Sequence, residues 1–455
     1  MPLPVSPVPE KNRRPSLQVP ATRAFTRFKP VLQPGEFPAL AWSFTYFFCL
    51  LCAYYVLRPV REEMGIQGGV NNLKYLFSAT FVSMLAVVPL FGWASARWPR
   101  ARLLPIVYAF FISHIIGFYF LFTLQVNPPL TAQVFFVWLS VFNVFVVSVF
   151  WSFMSDIFRN DQARRLYGVI AAGGSLGAIS GPTLTAVLVA HIGVANLLLL
   201  ACLFLALALV CIVKLNRWAL RAPRHSAAEQ RGDALGGSLL AGIRLAFTSR
   251  YLLGICAYIL LLSALGTFLY LEQMRIISAT IASPVERTQL FARVDMGVNV
   301  LTLFVQFFVT AQLVLRFGVT FCLMLMPLLS FGAFGAVALV PTLAVIIALG
   351  MLRRVMEYAI TRPSREVLFT VVSREERYKA KNVIDTVVIR GGDAMSSWMS
   401  DAVKSLGAST SHIALLAMPL AAVWAVLAYW LGRRQEQMAR EAPANEETPH
   451  ENRSS

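Results

Sequence analysis

The chain has 455 residues, of which 57% are hydrophobic and 14% charged, and its mean hydropathy is +0.64. About a quarter of the residues in a soluble globular chain are charged, so this composition excludes that class and points to helices buried in a bilayer. A net charge of +17 suits a nucleic-acid binder until the positive residues are located.

Residues 1–37 are Pro-rich and are expected to form a disordered cytoplasmic tail rather than a cleavable leader. Apolar runs near membrane-spanning length follow, such as PALAWSFTYFFCLLCAYYVL and ANLLLLACLFLALALVCIV. Twelve spans are expected, near 38–57, 73–95, 103–125, 130–155, 166–191, 194–213, 251–272, 290–315, 319–340, 342–372, 380–404 and 411–431. Of the 40 Lys+Arg, 27 then fall in the tails and even-numbered connections, four in the opposite connections and nine inside spans. That asymmetry places both termini in the cytoplasm by the positive-inside rule. The basic excess is therefore a topology signal.

Residues 38–213 are expected to form one six-helix bundle and 250–432 a second. Residues 214–249 have the composition of a cytoplasmic linker, and 433–455 that of a disordered tail. Cys49-x-x-Cys52 has redox or metal spacing, but it sits in FFCLLCAYY with no second pair, so packed thiols are expected. There is no phosphate-binding G-x-x-x-x-G-K-[ST], no H-E-x-x-H and no recognisable Ser–His–Asp set. Neither a cofactor nor an enzymatic reaction is expected, and transport would run on gradients or exchange.

Charges inside a span cost several kcal/mol unless paired or wet, so each is a candidate functional group. In the tenth span Gly350, Arg354, Glu357, Thr361 and Arg365 form one helical stripe, with Arg353, Arg362 and Glu366 close by. In the eleventh, Asn382, Thr386, Arg390, Asp393, Ser397 and Ser400 do the same. Arg58, Arg61 and Glu62 share a face at the end of the first span. Arg353 or Arg354 with Glu357, and Arg390 with Asp393, have the spacing of intrahelical ion pairs. The heptapeptide RPVREEM (58–64) recurs as RPSREVL (362–368), in the first and tenth spans. Glu272 ends the seventh span, as a proton or counter-charge group or as a plain helix end.

Six plus six helices with both termini inside is the plan of the major facilitator superfamily, whose halves rock about a midplane site. The loop GWASARWPRAR, with Gly92, Arg97, Arg100 and Arg102, resembles that superfamily's G-x-x-x-D-R-x-G-R-R loop, with Ala96 replacing the acid and Pro99 the second glycine. Gly177-x-x-x-Gly181-Pro182 resembles its antiporter motif, and equally reads as small-residue packing.

More specifically, the chain resembles the bacterial and plastid-type nucleotide transporters, the ATP:ADP antiporters. The family's L-R-x-x-K-[DE] appears as Leu57 to Glu62, its P-x-K-E as Pro363 to Glu366, and its K-x-K-x-x-I-D-x-V as Lys379 to Val387, which includes Asp385. The resemblance implies a membrane antiporter of nucleotides in the bacterial inner membrane. Arg61 and Arg365 stand at its phosphate-binding positions and Glu272 at its span 7 carboxylate. Arg58, Arg354, Arg362 and Arg390 join the expected substrate-binding set, and Glu62, Glu357, Glu366, Asp385 and Asp393 the coupling or counter-charge set. Two departures stand out: both family lysines are arginines here, and VWLSVFNVFVVSVFW lacks the span 4 carboxylate. A transporter of another organic anion, or a receptor or scaffold that kept the fold, are the alternatives.

Overall fold

The computed structural model describes residues 32–33, 35–98, 100–221, 249–373, 376, 381 and 383–441. Most of the expected tails, most of the linker, and the Lys379 and Asn382 positions lie outside the described residues. Among those described there is no strand.

Helices α1 (Phe37–Gln67), α2 (Leu73–Arg97), α3 (Arg100–Thr123) and α4 (Pro128–Ile157) follow one another through short turns. The run Asn160–Arg221 breaks at Gly193, whose φ of 77° suits glycine, giving α5 (160–192) and α6 (194–221). After α7 (Arg250–Thr280), helix α8 starts as Pro284–Val305 and continues through a π-helical turn, Gln306–Thr310, to Gly318. Gly318, with φ 79°, separates it from α9 (319–339). Helix α10 is Leu343–Met356, a π turn Glu357–Thr361, and Arg362–Leu368. Helix α11 opens with a π turn, Ile384–Val388, and runs on as Ile389–Ser405; α12 is Thr410–Glu441.

By length and apolarity eight helical runs among the described residues can cross a membrane, with the two glycine-broken runs counted whole. Helices α10 and α11 carry the charges and fall outside that set. Helix α6 extends to Arg221 and α12 to Glu441, beyond the borders expected at 213 and 432. Large apolar side chains such as Phe307, Leu315 and Val426 point outward, as a bilayer requires.

Packing within the first half rests on small residues. Helix α1 lies along α5, where a Cβ at Gly173, Gly177 or Gly181 would come within 3.0 Å of the carbonyl oxygens of Phe44, Phe48 and Cys52. The glycines therefore let two backbones touch, which is how helices gain dispersion energy where the hydrophobic effect is absent. That is the physical content of GGSLGAISGPT. Cys49 and Cys52 are buried free thiols in this contact region.

The two halves meet where α2 packs on α11, α5 on α8, and α1 on α7 and α8. The ends of α1 and α7 and the starts of α2, α8 and α10 share one face of the bundle, where Ile66, Leu73, Leu271, Met274, Ile277 and Phe291 form a cluster with Leu343 against it. Polar bonds reinforce this face. Arg287 of α8 donates to both carboxylate oxygens of Glu63 at 2.7 Å, Lys74 pairs with Asp401 at 2.5 Å, and Trp398 Nε1 donates to Ser78 at 3.0 Å. We call this the closed end.

Candidate functional site

A cavity of about 1010 Å³ lies between the halves. Helix α1 contributes Tyr54, Tyr55, Arg58, Arg61 and Glu62 to its wall; α4 contributes Asn143, Val144, Val147 and Ser148. From the other half come Thr267, Tyr270 and Gln273 of α7, Asp295 and Asn299 of α8, and the charged residues of α10 and α11. Exposure differs among its arginines: the side chains of Arg365, Arg58 and Arg354 are 12%, 14% and 18% exposed, Arg390 31%, and Arg362 58%.

The π turns explain how α10 bears this load. A π turn frees a backbone carbonyl from its helical partner. Here Gln306 Nε2 donates to the Tyr358 carbonyl at 3.2 Å and Thr310 Oγ1 to that of Ala359 at 2.9 Å. The π turn of α8 thus satisfies that of α10, and the bulged wall is held without orphaned carbonyls at those two residues.

Seven arginines and four carboxylates line the cavity, a formal excess of three positive charges, with neither lysine nor histidine in the lining. The pairs are these. Asp295 receives Arg354 Nη2 at 2.6 Å and lies 3.5 Å from Arg58 Nε. Glu357 sits between Arg353 at 3.1 Å and Arg362 at 3.5 Å. Arg390 is 3.5 Å from Asp393, whose Oδ1 accepts from Ser263 at 2.5 Å and Thr267 at 3.2 Å. Arg61 lies 4.3 Å over the Phe136 ring and 3.8 Å from Glu62, which accepts from the Tyr270 hydroxyl at 2.5 Å. Arg365 lines the cavity 3.7 Å from Glu366.

The structure therefore brings Arg58, Arg61, Glu62, Arg354, Glu357, Arg362, Arg365, Arg390 and Asp393 into one cavity. Two expected members stand elsewhere, and a third is not described. Glu366 is outside the lining and pairs with Lys381 at 2.6 Å. The Asp385 side chain is outside the described residues. Glu272 is buried away from the cavity, against Arg275 and the Thr410 hydroxyl. The reason is helical phase. Gly266, Thr267, Tyr270 and Gln273 form the cavity stripe of α7, and Glu272, two residues from Tyr270, points about 200° away.

Arg61 and Arg365, the two arginines at the expected phosphate-binding positions, stand at different depths in the cavity. The shared Asp295 sets Arg58 and Arg354 at one level. Arg365 lies eleven residues further along α10 and Arg61 three residues along α1, in opposite axial directions, so the two are about 20 Å apart in depth. Because α1 and α10 run antiparallel, the repeated heptapeptides mark opposite ends of the cavity. The arginines that do share a level across the halves are Arg58 and Arg354. Asp295, which joins them, escaped the sequence analysis; its signal was an acid inside the expected span 290–315.

Known proteins that resemble this chain in sequence or in fold are carriers and transporters. The chain is 22% identical to ADP,ATP carrier protein 2 of Chlamydia pneumoniae over 533 aligned positions, covering 96% of this chain and 97% of that protein. The Major Facilitator Superfamily profile matches residues 152–361. Among solved structures, a POT family transporter bound to a thioalcohol-conjugated peptide superposes with a TM-score of 0.61 at 14% identity, over 88% of this chain and 96% of that one. The nucleoside transporter NupG superposes with a TM-score of 0.60 at 15% identity, over 90% and 100%. The chain has the major facilitator fold. It resembles the nucleotide carriers along nearly its whole length, and it is a multi-pass membrane transporter with a small-molecule substrate.

Proposed function

We propose that the protein exchanges nucleotides of the ATP/ADP type across the bacterial inner membrane by alternating access. The observation that carries this reading is the cationic cavity between the halves, walled by arginines from both. Its excess of three charges matches a di- or triphosphate chain, and guanidinium forks bind phosphate oxygens in pairs. Arg58, Arg61 and Arg354 form the inner level that receives the phosphates; Arg362, Arg365 and Arg390 form an outer level that draws the anion in. Tyr54, Tyr55 and Tyr358 lie between the levels and offer faces for a base.

The distribution of basic residues puts the termini, and the end of the cavity away from the closed face, in the cytoplasm. The present state is then inward-facing. Coupling follows from binding: an anion that joins α1 to α10 draws the halves together around it. Among the cavity residues α4 contributes no charge, which keeps a different polyanion as the competing reading.

Titration calorimetry on the purified protein with ADP, AMP, adenosine and citrate tests the substrate class. Affinity rising from adenosine through AMP to ADP supports the proposal. Citrate binding with no response to ADP refutes it in favour of the other anion.

A further inference from the structure

Asp295 occupies an unusual position. Its side chain is 4% exposed, yet it faces a cavity with surplus positive charge, and it is shared between an arginine of each half. Its Oδ1 takes a short bond from Arg354 Nη2, while its Oδ2 is buried without a hydrogen-bond partner, 3.5 Å from Arg58 Nε. The Nε atoms of Arg354 and of nearby Arg61 are also buried without acceptors. Asp295 thus makes one hydrogen bond, and its second oxygen and two arginine Nε donors nearby are left without one. A buried donor or acceptor left unmade is costly, so the cluster gains from any ligand with more acceptor oxygens and more charge.

We infer that Asp295 is an internal counter-anion, which holds Arg58 and Arg354 in the empty cavity and is displaced from them by the phosphate groups of the substrate. The inference rests on the cavity being the anion site proposed above and names what sets its selectivity. A ligand must replace the single negative charge of Asp295 on two guanidinium groups. A monoanion offers no more than the carboxylate already there; a diphosphate offers three oxygens per phosphorus and a higher charge. Asp295 therefore raises the threshold for binding and favours polyanions. Because Arg58 belongs to the first half and Asp295 to the second, displacement also removes a tie between the halves, which links arrival of the ligand to movement.

The sign of one change in affinity tests this. Binding of inorganic pyrophosphate, ADP and inorganic phosphate is measured by calorimetry on the full chain, wild type against Asp295→Asn, with Asp295→Ser as a second uncharged variant. Displacement predicts that both variants bind pyrophosphate about tenfold more tightly, the worth of one charge-assisted contact no longer competed for. It also predicts a larger relative gain for phosphate than for pyrophosphate. Asp393→Asn, which removes a cavity carboxylate held by Ser263 and Thr267, is expected to change affinity far less. Weaker binding in both Asp295 variants shows a residue that positions the arginines, and overturns the inference. An equal gain in Asp393→Asn shows only the general field of the cavity, and overturns it too. Pyrophosphate binding without ADP binding in the wild type would remove the nucleotide reading and leave the displacement readable on pyrophosphate; no pyrophosphate binding in any variant overturns both.

Discussion

Replacing Glu63 with glutamine is expected to open the closed end. Glu63 is fully buried, and its two oxygens accept from Arg287 Nε and Nη2 at 2.7 Å each, across the boundary between the halves. The Arg287 guanidinium also donates to the Ile281 carbonyl at 3.1 Å. Removing one member of a buried pair leaves the other uncompensated, at about 3–5 kcal/mol. The retained carbonyl bond argues for the lower figure, about 3 kcal/mol. In the outward-open state the two groups separate and are hydrated, so the loss falls on the present state alone. A bias of that size changes the ratio of the two states by about two powers of ten. Spin labels at exposed Asn71 and Glu286, on opposite halves of the closed end, report the distance distribution by double electron–electron resonance. The wild type is expected to show one short distance, and Glu63→Gln a dominant longer one. An unchanged short distance in the variant, with the protein folded, would refute the assignment of this pair as the closed-end latch.

Three further outcomes follow. Arg58→Ala and Arg354→Ala are each expected to cut uptake at least tenfold while leaving folded protein, because both stand at the inner level; Arg365→Ala should mainly slow capture, seen as a higher KM at high turnover, and an equal collapse in all three would contradict the two-level reading. Gly177→Val forces a side chain into the Phe48 carbonyl and should lower stability by about 1–3 kcal/mol, read as an earlier thermal unfolding transition, whereas Gly117→Val, with open space around it, should not. Glu36, at the mouth of α1, is held down to about 2 by the Arg165 guanidinium that hydrogen-bonds it. Its folded value is depressed, so the stability it adds is full above about pH 4.5 and is lost as pH falls toward 2. The Tm gap between wild type and Glu36→Gln should therefore be present at pH 7 and shrink at pH 3; a gap independent of pH would contradict the ion pair.

The sequence showed what depends on residues along one helix and hid what depends on contacts between helices. Arg354, Glu357, Thr361 and Arg365 share a face by simple periodicity, and all four line the cavity despite the π turn between them. Arg58 and Arg61 were conspicuous because a charge at the end of an apolar run costs energy. Neighbouring Glu62 and Glu63 looked alike, yet one step of about 100° sends Glu62 to the cavity and Glu63 to Arg287. The Arg58–Asp295 contact joins residues far apart in the chain, and nothing along α8 alone betrays it. The likeness of the two heptapeptides was visible, but their opposite depths follow from the antiparallel run of α1 and α10, which only the assembled bundle shows.

Counter-exchange in liposomes tests the central claim most directly. The purified protein is reconstituted in vesicles loaded with ADP or left empty, and entry of labelled ATP is followed. The account predicts entry that depends on internal ADP and disappears in Arg58→Ala. No entry under either loading, from protein that is folded and inserted, would contradict nucleotide exchange.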